Sequence, residues 1–159
     1  MGMRISTRGR YALRMMQDIA RNGIEGRPVS LASVAARTDI SLGYLEQLAI
    51  ALKHGQLVRG VAGRYGGYVL TRNPSEISLR DIVETAIGPI CVVDCVEDPA
   101  GCPRAEDCEC RMVYGLVNQR IAEVLEEFSL DDLVHPGRVM SFVDVESLSS
   151  KKVSNSPVG

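Results

Sequence analysis

With 159 residues and 45% hydrophobic side chains, the chain can bury one real core, and it is too short for more than a domain with an appendage. The net charge of −2 hides a division: residues 1–80 carry 12 basic and 5 acidic groups, and residues 81–159 carry 6 and 15, so the halves stand at +7 and −9. A basic half joined to an acidic half points to a nucleic-acid reader fused to another function, and it argues against an electron carrier.

Five tyrosines, two phenylalanines and no tryptophan leave the core aliphatic, which favours packed helices over a sandwich or barrel. Eleven of the twelve bases in the first half are arginines, suited to bidentate contacts with phosphate and guanine. No apolar run approaches the roughly 18 residues of a membrane span, and the first ten residues hold no signal-peptide core, so the expected location is cytoplasmic.

Taken in order, Ser6 or Thr7 caps a first helix whose apolar positions Tyr11, Ala12, Met15, Met16, Ile19 and Ala20 line one face, ending at Asn22-Gly23. Met15 and Met16 are expected in the core. After the turn at Gly26-Arg27-Pro28, Ser30 caps a short helix with Leu31, Val34 and Ala35 inward. A break at Asp39-Ile40 leads to a second helix, Leu42 to Lys53, capped by Ser41. Leu45, Leu48, Ala49 and Leu52 share its buried face, while Gly43, Tyr44, Glu46 and Gln47 project from its start. That is helix-turn-helix grammar, in which the first turns of the second helix read base edges.

Residues 57–61 and 67–71 then read as two strands around Ala62-Gly63-Arg64-Tyr65-Gly66. A glycine-rich hairpin tip bearing an arginine, directly after a helix-turn-helix, is a wing, and Arg64 can enter a minor groove. The glycines lack the lysine and helix start that a phosphate-binding loop needs. Pro74 and Ser78 introduce a helix from Leu79 to Ile87 with Leu79, Ile82, Val83 and Ala86 inward.

All five cysteines follow within twenty residues: Cys91, Cys95, Cys102, Cys108 and Cys110, with Pro99, Gly101 and Pro103 between them. A Pro/Gly-rich loop can fold soft thiolates toward one point, and in a reducing compartment such a cluster points to metal binding or redox sensing. From Arg111 to Phe128 the apolar positions Val113, Val117, Ile121, Val124 and Phe128 recur at helical spacing over about 27 Å. So broad a face on so small a chain calls for a partner helix, most economically the same helix of a second copy. Ser129 caps a last short helix to Val134, and the Ser-rich stretch from Glu146 reads as a disordered tail. The expected units are a winged helix-turn-helix at 1–74, a cysteine loop with dimerisation helix at 75–134, and a mostly disordered tail at 135–159. The fold class is mainly α with a small β-wing.

These residues resemble a bacterial family of winged-helix transcription regulators that includes the iron-sulfur cluster regulator IscR, the nitric-oxide sensor NsrR and the cysteine-metabolism repressor CymR. The resemblance covers about residues 3–134. It runs through Ser-Thr-Arg-Gly-Arg-Tyr-Ala at 6–12, Ile40-Ser-Leu-Gly-Tyr-Leu-Glu-Gln-Leu48, Gly66-Gly-Tyr-Val-Leu70, the spaced cysteines and the long helix. It implies a homodimeric repressor or dual regulator on double-stranded DNA. Ser41, Tyr44, Glu46 and Gln47 would meet bases and phosphates, Arg64 the minor groove, and Arg4, Arg8 and Arg59 the backbone. It also implies an iron-sulfur cluster, [2Fe-2S] or [4Fe-4S], on Cys95, Cys102 and Cys108.

Departures accompany the likeness. Arg111 stands where the cluster regulator has a histidine, Arg10 where the nitric-oxide sensor's partner offers an acidic ligand, and Ala62 where the wing has a DNA-contacting arginine. The fourth ligand is left open between Cys91 and Cys110. If the helix has begun by Cys108, that residue and Cys110 point about 200° apart. The rival readings keep the DNA reader with a structural zinc site or a metal-free thiol switch. A different class, an iron-sulfur electron carrier, lacks the ferredoxin cysteine spacings. No catalysis is expected, because His54 and His135 sit beside turns without a nucleophile motif.

Overall fold

Serine caps set the starts of four helices. In the computed structural model, which describes residues 5–142, Ser6 accepts the Gly9 amide at 3.1 Å and opens α1, Thr7–Asn22. Ser30 does the same for α2, Leu31–Thr38, through the Ser33 amide at 3.2 Å. Ser78 caps α4, Leu79–Ile87, and Ser129 caps α7, Leu130–Val134, where Asp132 closes a reciprocal capping box. Each cap satisfies an amide that would otherwise lack a helical partner. The turn after α2 passes through Asp39 at φ +57°, a left-handed conformation that aspartate tolerates, and α3 follows at Leu42–His54.

The core is aliphatic, with Ala12, Met15, Met16 and Ile19 of α1 fully buried at its centre. Val34 of α2, Leu45, Leu48 and Leu52 of α3, and Ile82 of α4 close around them. β1, Val58–Val61, and β2, Gly67–Leu70, form an antiparallel hairpin with Val58 opposite Leu70 and Val61 opposite Gly67. A bridge between Val29 and Tyr68, with amide-to-carbonyl distances of 2.9 and 2.8 Å, fastens β2 to the segment leading into α2. Wing and helix-turn-helix are thereby joined by backbone hydrogen bonds.

Past α4 the chain leaves the head through a short helix α5, Asp94–Glu97, and the cysteine loop, runs along α6, Glu109–Glu127, and returns. The return is stitched at its base: the Leu79 amide donates to Phe128 O at 2.9 Å, and the Leu130 amide to Ile77 O at 2.8 Å. Leu130 is fully buried in the same core as Met15, and Gln17 of α1 donates to Leu133 O at 2.7 Å. The core thus runs across the boundary expected at residue 74, because α4 and α7 supply part of the apolar surface that α1 needs. A helix α8, Gly137–Phe142, falls near the start of the stretch expected as tail; residues 143–159 lie outside the described residues.

Asp132 is only 8% exposed. The Ser129 amide, foremost, then the Ser129 hydroxyl and the Arg138 guanidinium at 3.3 Å, hold its carboxyl below the ordinary value of 3.8, against the upward push of burial. A depressed carboxylate contributes stability that is full above its ordinary value and is lost as pH falls through the lower folded-state value. Acid denaturation of Asp132→Asn should lack this component and show a shallower loss below about pH 4 than the parent chain. Identical profiles would remove Asp132 from the account.

Candidate nucleic-acid interface and cysteine loop

Helix α3 buries Leu45, Leu48, Ala49 and Leu52, which turns Ser41, Leu42, Gly43, Glu46 and Gln47 outward. Ser41 occupies the capping position of α3, yet its hydroxyl oxygen accepts no capping hydrogen bond, and the residue is exposed, so the hydroxyl is open to an external partner. Tyr44 is half-buried and packs edge-on against Tyr11, with ring centroids 5.5 Å apart. It presents only part of its ring outward.

Arg59 is exposed on β1, and Arg64 is exposed at the wing tip, where its guanidinium lies over the Tyr65 ring at 5.7 Å. Tyr65, at 84% exposure, was not singled out from sequence; an aromatic residue beside an arginine at a hairpin tip was the available signal. Arg8 is turned inward, its Nε donating to Ala86 O at the end of α4 at 2.6 Å, which leaves its terminal nitrogens for backbone contact. Arg4 lies outside the described residues. Arg37, basic and near the wing, is paired with Asp18 at 2.7 Å and is not free for phosphate. The exposed start of α3 and the wing together form a surface with the shape and donors for a DNA groove.

The cysteine loop is built differently. Cys91, Cys95, Cys102 and Cys108 are half-buried, Cys110 is exposed, and none is in a disulfide. Cys108 has extended backbone angles and is the residue just before α6, so the helix begins at Glu109. The condition behind the 200° separation of Cys108 and Cys110 is therefore not met. Soft thiolates on a loop are the right donors for iron-sulfur or zinc chemistry. Among the described residues, however, no three Cys, His, Asp or Glu side chains converge on a point that could hold a metal ion. The donor set fits such a group, and further closure of the loop is what would gather it.

A sequence profile described as Rrf2, iron-dependent transcriptional regulator, matches residues 5–136. The chain belongs to the Rrf2 family. The regulator CymR of Bacillus subtilis is 39% identical over 131 residues, spanning 82% of this chain and 89% of that protein. The regulator IscR of Pectobacterium atrosepticum is 32% identical over 153 residues, 96% of this chain and 92% of that one. Among solved structures, that of B. subtilis CymR, described as a global cysteine regulator, aligns with a TM-score of 0.68 at 35% identity over 90% of this chain and 100% of that one. IscR from T. potens aligns with a TM-score of 0.70 at 30% identity, covering 92% and 97%. This Rrf2 chain is a DNA-binding transcriptional regulator with a winged-helix head, as its sequence led one to expect. Among its described residues no helix is long and apolar enough to cross a membrane.

Proposed function

We propose that this Rrf2 protein is a homodimeric regulator, most simply a repressor, whose operator affinity is set by an iron-sulfur cluster on Cys95, Cys102 and Cys108. The observation that carries the reading is the continuity of loop and helix: Cys108 is the residue from which α6 starts. A group that orders the loop acts directly on that start. Helix α6 is joined at its far end to the head through the Phe128 and Leu130 backbone bonds, so its tilt is read by α1 and α4. A tenfold change in DNA affinity needs only about 1.4 kcal/mol of differential binding between two arrangements.

The second copy is argued from α6 itself. Met112 is 78% exposed, and Val113, Leu116 and Val124 are each more than half exposed, an apolar face left uncovered by the described residues. When bound, the cluster supplies a redox- and ligand-sensitive centre; this chain's residues supply its thiolates and the helix that responds. The fourth ligand lies between Cys91 and Cys110.

The test is an anaerobic visible spectrum with iron, sulfide and zinc analysis on the protein and on Cys102→Ala, followed by DNA binding with and without the chromophore. A brown, sulfide-containing protein that bleaches in the variant supports the reading. Colourless protein holding stoichiometric zinc moves it to a structural site, and colourless metal-free protein moves it to a thiol switch. Operator affinity should also fall steeply with salt, by a log-log slope of about 0.9 for each phosphate contacted. A flat salt response would remove Arg59 and Arg64 from the backbone contacts, and failure to bind any DNA would favour an electron carrier.

A further inference from the structure

Arg111 occupies a place where a metal-ligating histidine was conceivable, and it does something else there. Its backbone amide donates to Cys108 O at 3.1 Å as the first turn of α6 closes. Its side-chain Nε donates to Cys95 O at 2.7 Å, across sixteen positions of sequence. One residue thereby holds the backbones of two loop cysteines, one at each end of the 95–108 segment. A second contact lies two helical turns along the same face of α6, where Asn118 Oδ1 accepts the Val92 amide at 2.8 Å.

Between these anchors, among the described residues, the hydrogen bonds of the loop are local. The hydrogen bonds found for residues 99–107 run to Asp98 or stay within the segment: Ala100 and Gly101 to Asp98, Cys102 to Pro99, and Ala105 to Cys102. The loop is therefore in two parts, a stretch carrying Cys95 that is hydrogen-bonded to α6 and an arm carrying Cys102 whose hydrogen bonds stay within the loop, with Cys108 at the joint.

We propose that Arg111 is a positioning residue that staples Cys95 to Cys108 across the loop, so that the backbones of two of the three cysteines are already held to one anchor before a soft metal or cluster arrives and less of the loop has to be ordered by it. This rests on the reading of the loop as a thiolate site. Bringing the ends of a flexible loop together has an entropic cost that any ligand of both ends must otherwise meet itself. A hydrogen bond from a charged donor, made in the metal-free state, meets part of it in advance.

The test uses the full chain, metal-free and anaerobic, as the parent and as Arg111→Ala, Arg111→Met and Arg111→Lys. Cobalt(II) is the probe, followed by its thiolate charge-transfer absorbance, alongside limited tryptic cleavage after the exposed Arg104. Cleavage after Arg64 on the wing serves as the internal reference. Loss of the donor in Arg111→Ala and Arg111→Met should weaken cobalt binding about tenfold or more and speed cleavage after Arg104 by a similar factor, with wing cleavage unchanged. Arg111→Lys, which keeps a charged donor, should recover part of both.

Unchanged or tighter cobalt binding in Arg111→Ala, or unchanged Arg104 cleavage, overturns the staple. If the parent chain binds no thiophilic metal at all, the cluster reading fails instead, and the cleavage comparison still decides whether Arg111 holds the loop.

Discussion

Replacing Gly67 by alanine should destabilise the head by roughly 1–3 kcal/mol and weaken operator binding at least tenfold. A Cβ built on Gly67 lies 2.4 Å from Val29 O and 2.8 Å from the Ser30 amide nitrogen, both backbone atoms that no side-chain rotation can move aside. Relief requires β2 to swing away from Val29, breaking the bridge that fastens the wing to α2. Gly60 on β1 is the control: its Cβ would meet nothing within 4 Å, so Gly60→Ala should stay within about 0.5 kcal/mol of the parent. Denaturant midpoints for the two variants decide the matter. Equal stability for both would mean that the wing is not held by that bridge.

The larger stability loss is expected at Leu130. Its side chain is fully buried in the core that α1 shares, so Leu130→Ala should cost about 2–5 kcal/mol by lost burial and a residual cavity. Leu133, only partly buried against the same core, should cost less on truncation. A Leu130→Ala variant as stable as the parent would show that α7 merely rests on the head. Thermal midpoints measured together with DNA binding separate a loss of folding from a loss of contact.

What could be read from the sequence was what short range determines. Ser6, Ser30, Ser78 and Ser129 each cap a helix through an amide three residues on, and the apolar spacing after each serine names its buried face. The wing was legible for the same reason, since Gly63, Gly66 and Gly67 mark a hairpin by themselves. Ser41 obeyed the pattern in position but not in bonding, because a serine at a helix start can equally leave its hydroxyl outward.

Long-range features were the ones missed. Nothing near Leu130 in sequence says that it joins the core built on α1, and nothing near Val29 says that Tyr68 pairs with it. The bond from Arg8 Nε to Ala86 O spans 78 positions, and nothing local in the sequence announces it. In the cysteine loop, composition spoke for the chemistry of the donors but not for their placement. That placement depends on two side chains of α6, Arg111 and Asn118, reaching back to backbone atoms sixteen and twenty-six positions away.

The stitch between residues 77–79 and 128–130 also bears on how the protein is made. A ribosome delivers α1, the helix-turn-helix and the wing first, but their shared core stays open until Leu130 has emerged and docked. A product that stops short of α7 exposes that apolar surface and is a substrate for proteolysis. Synthesis itself thus discourages a cell from accumulating the DNA-reading half of this chain without the cysteine loop that belongs to it.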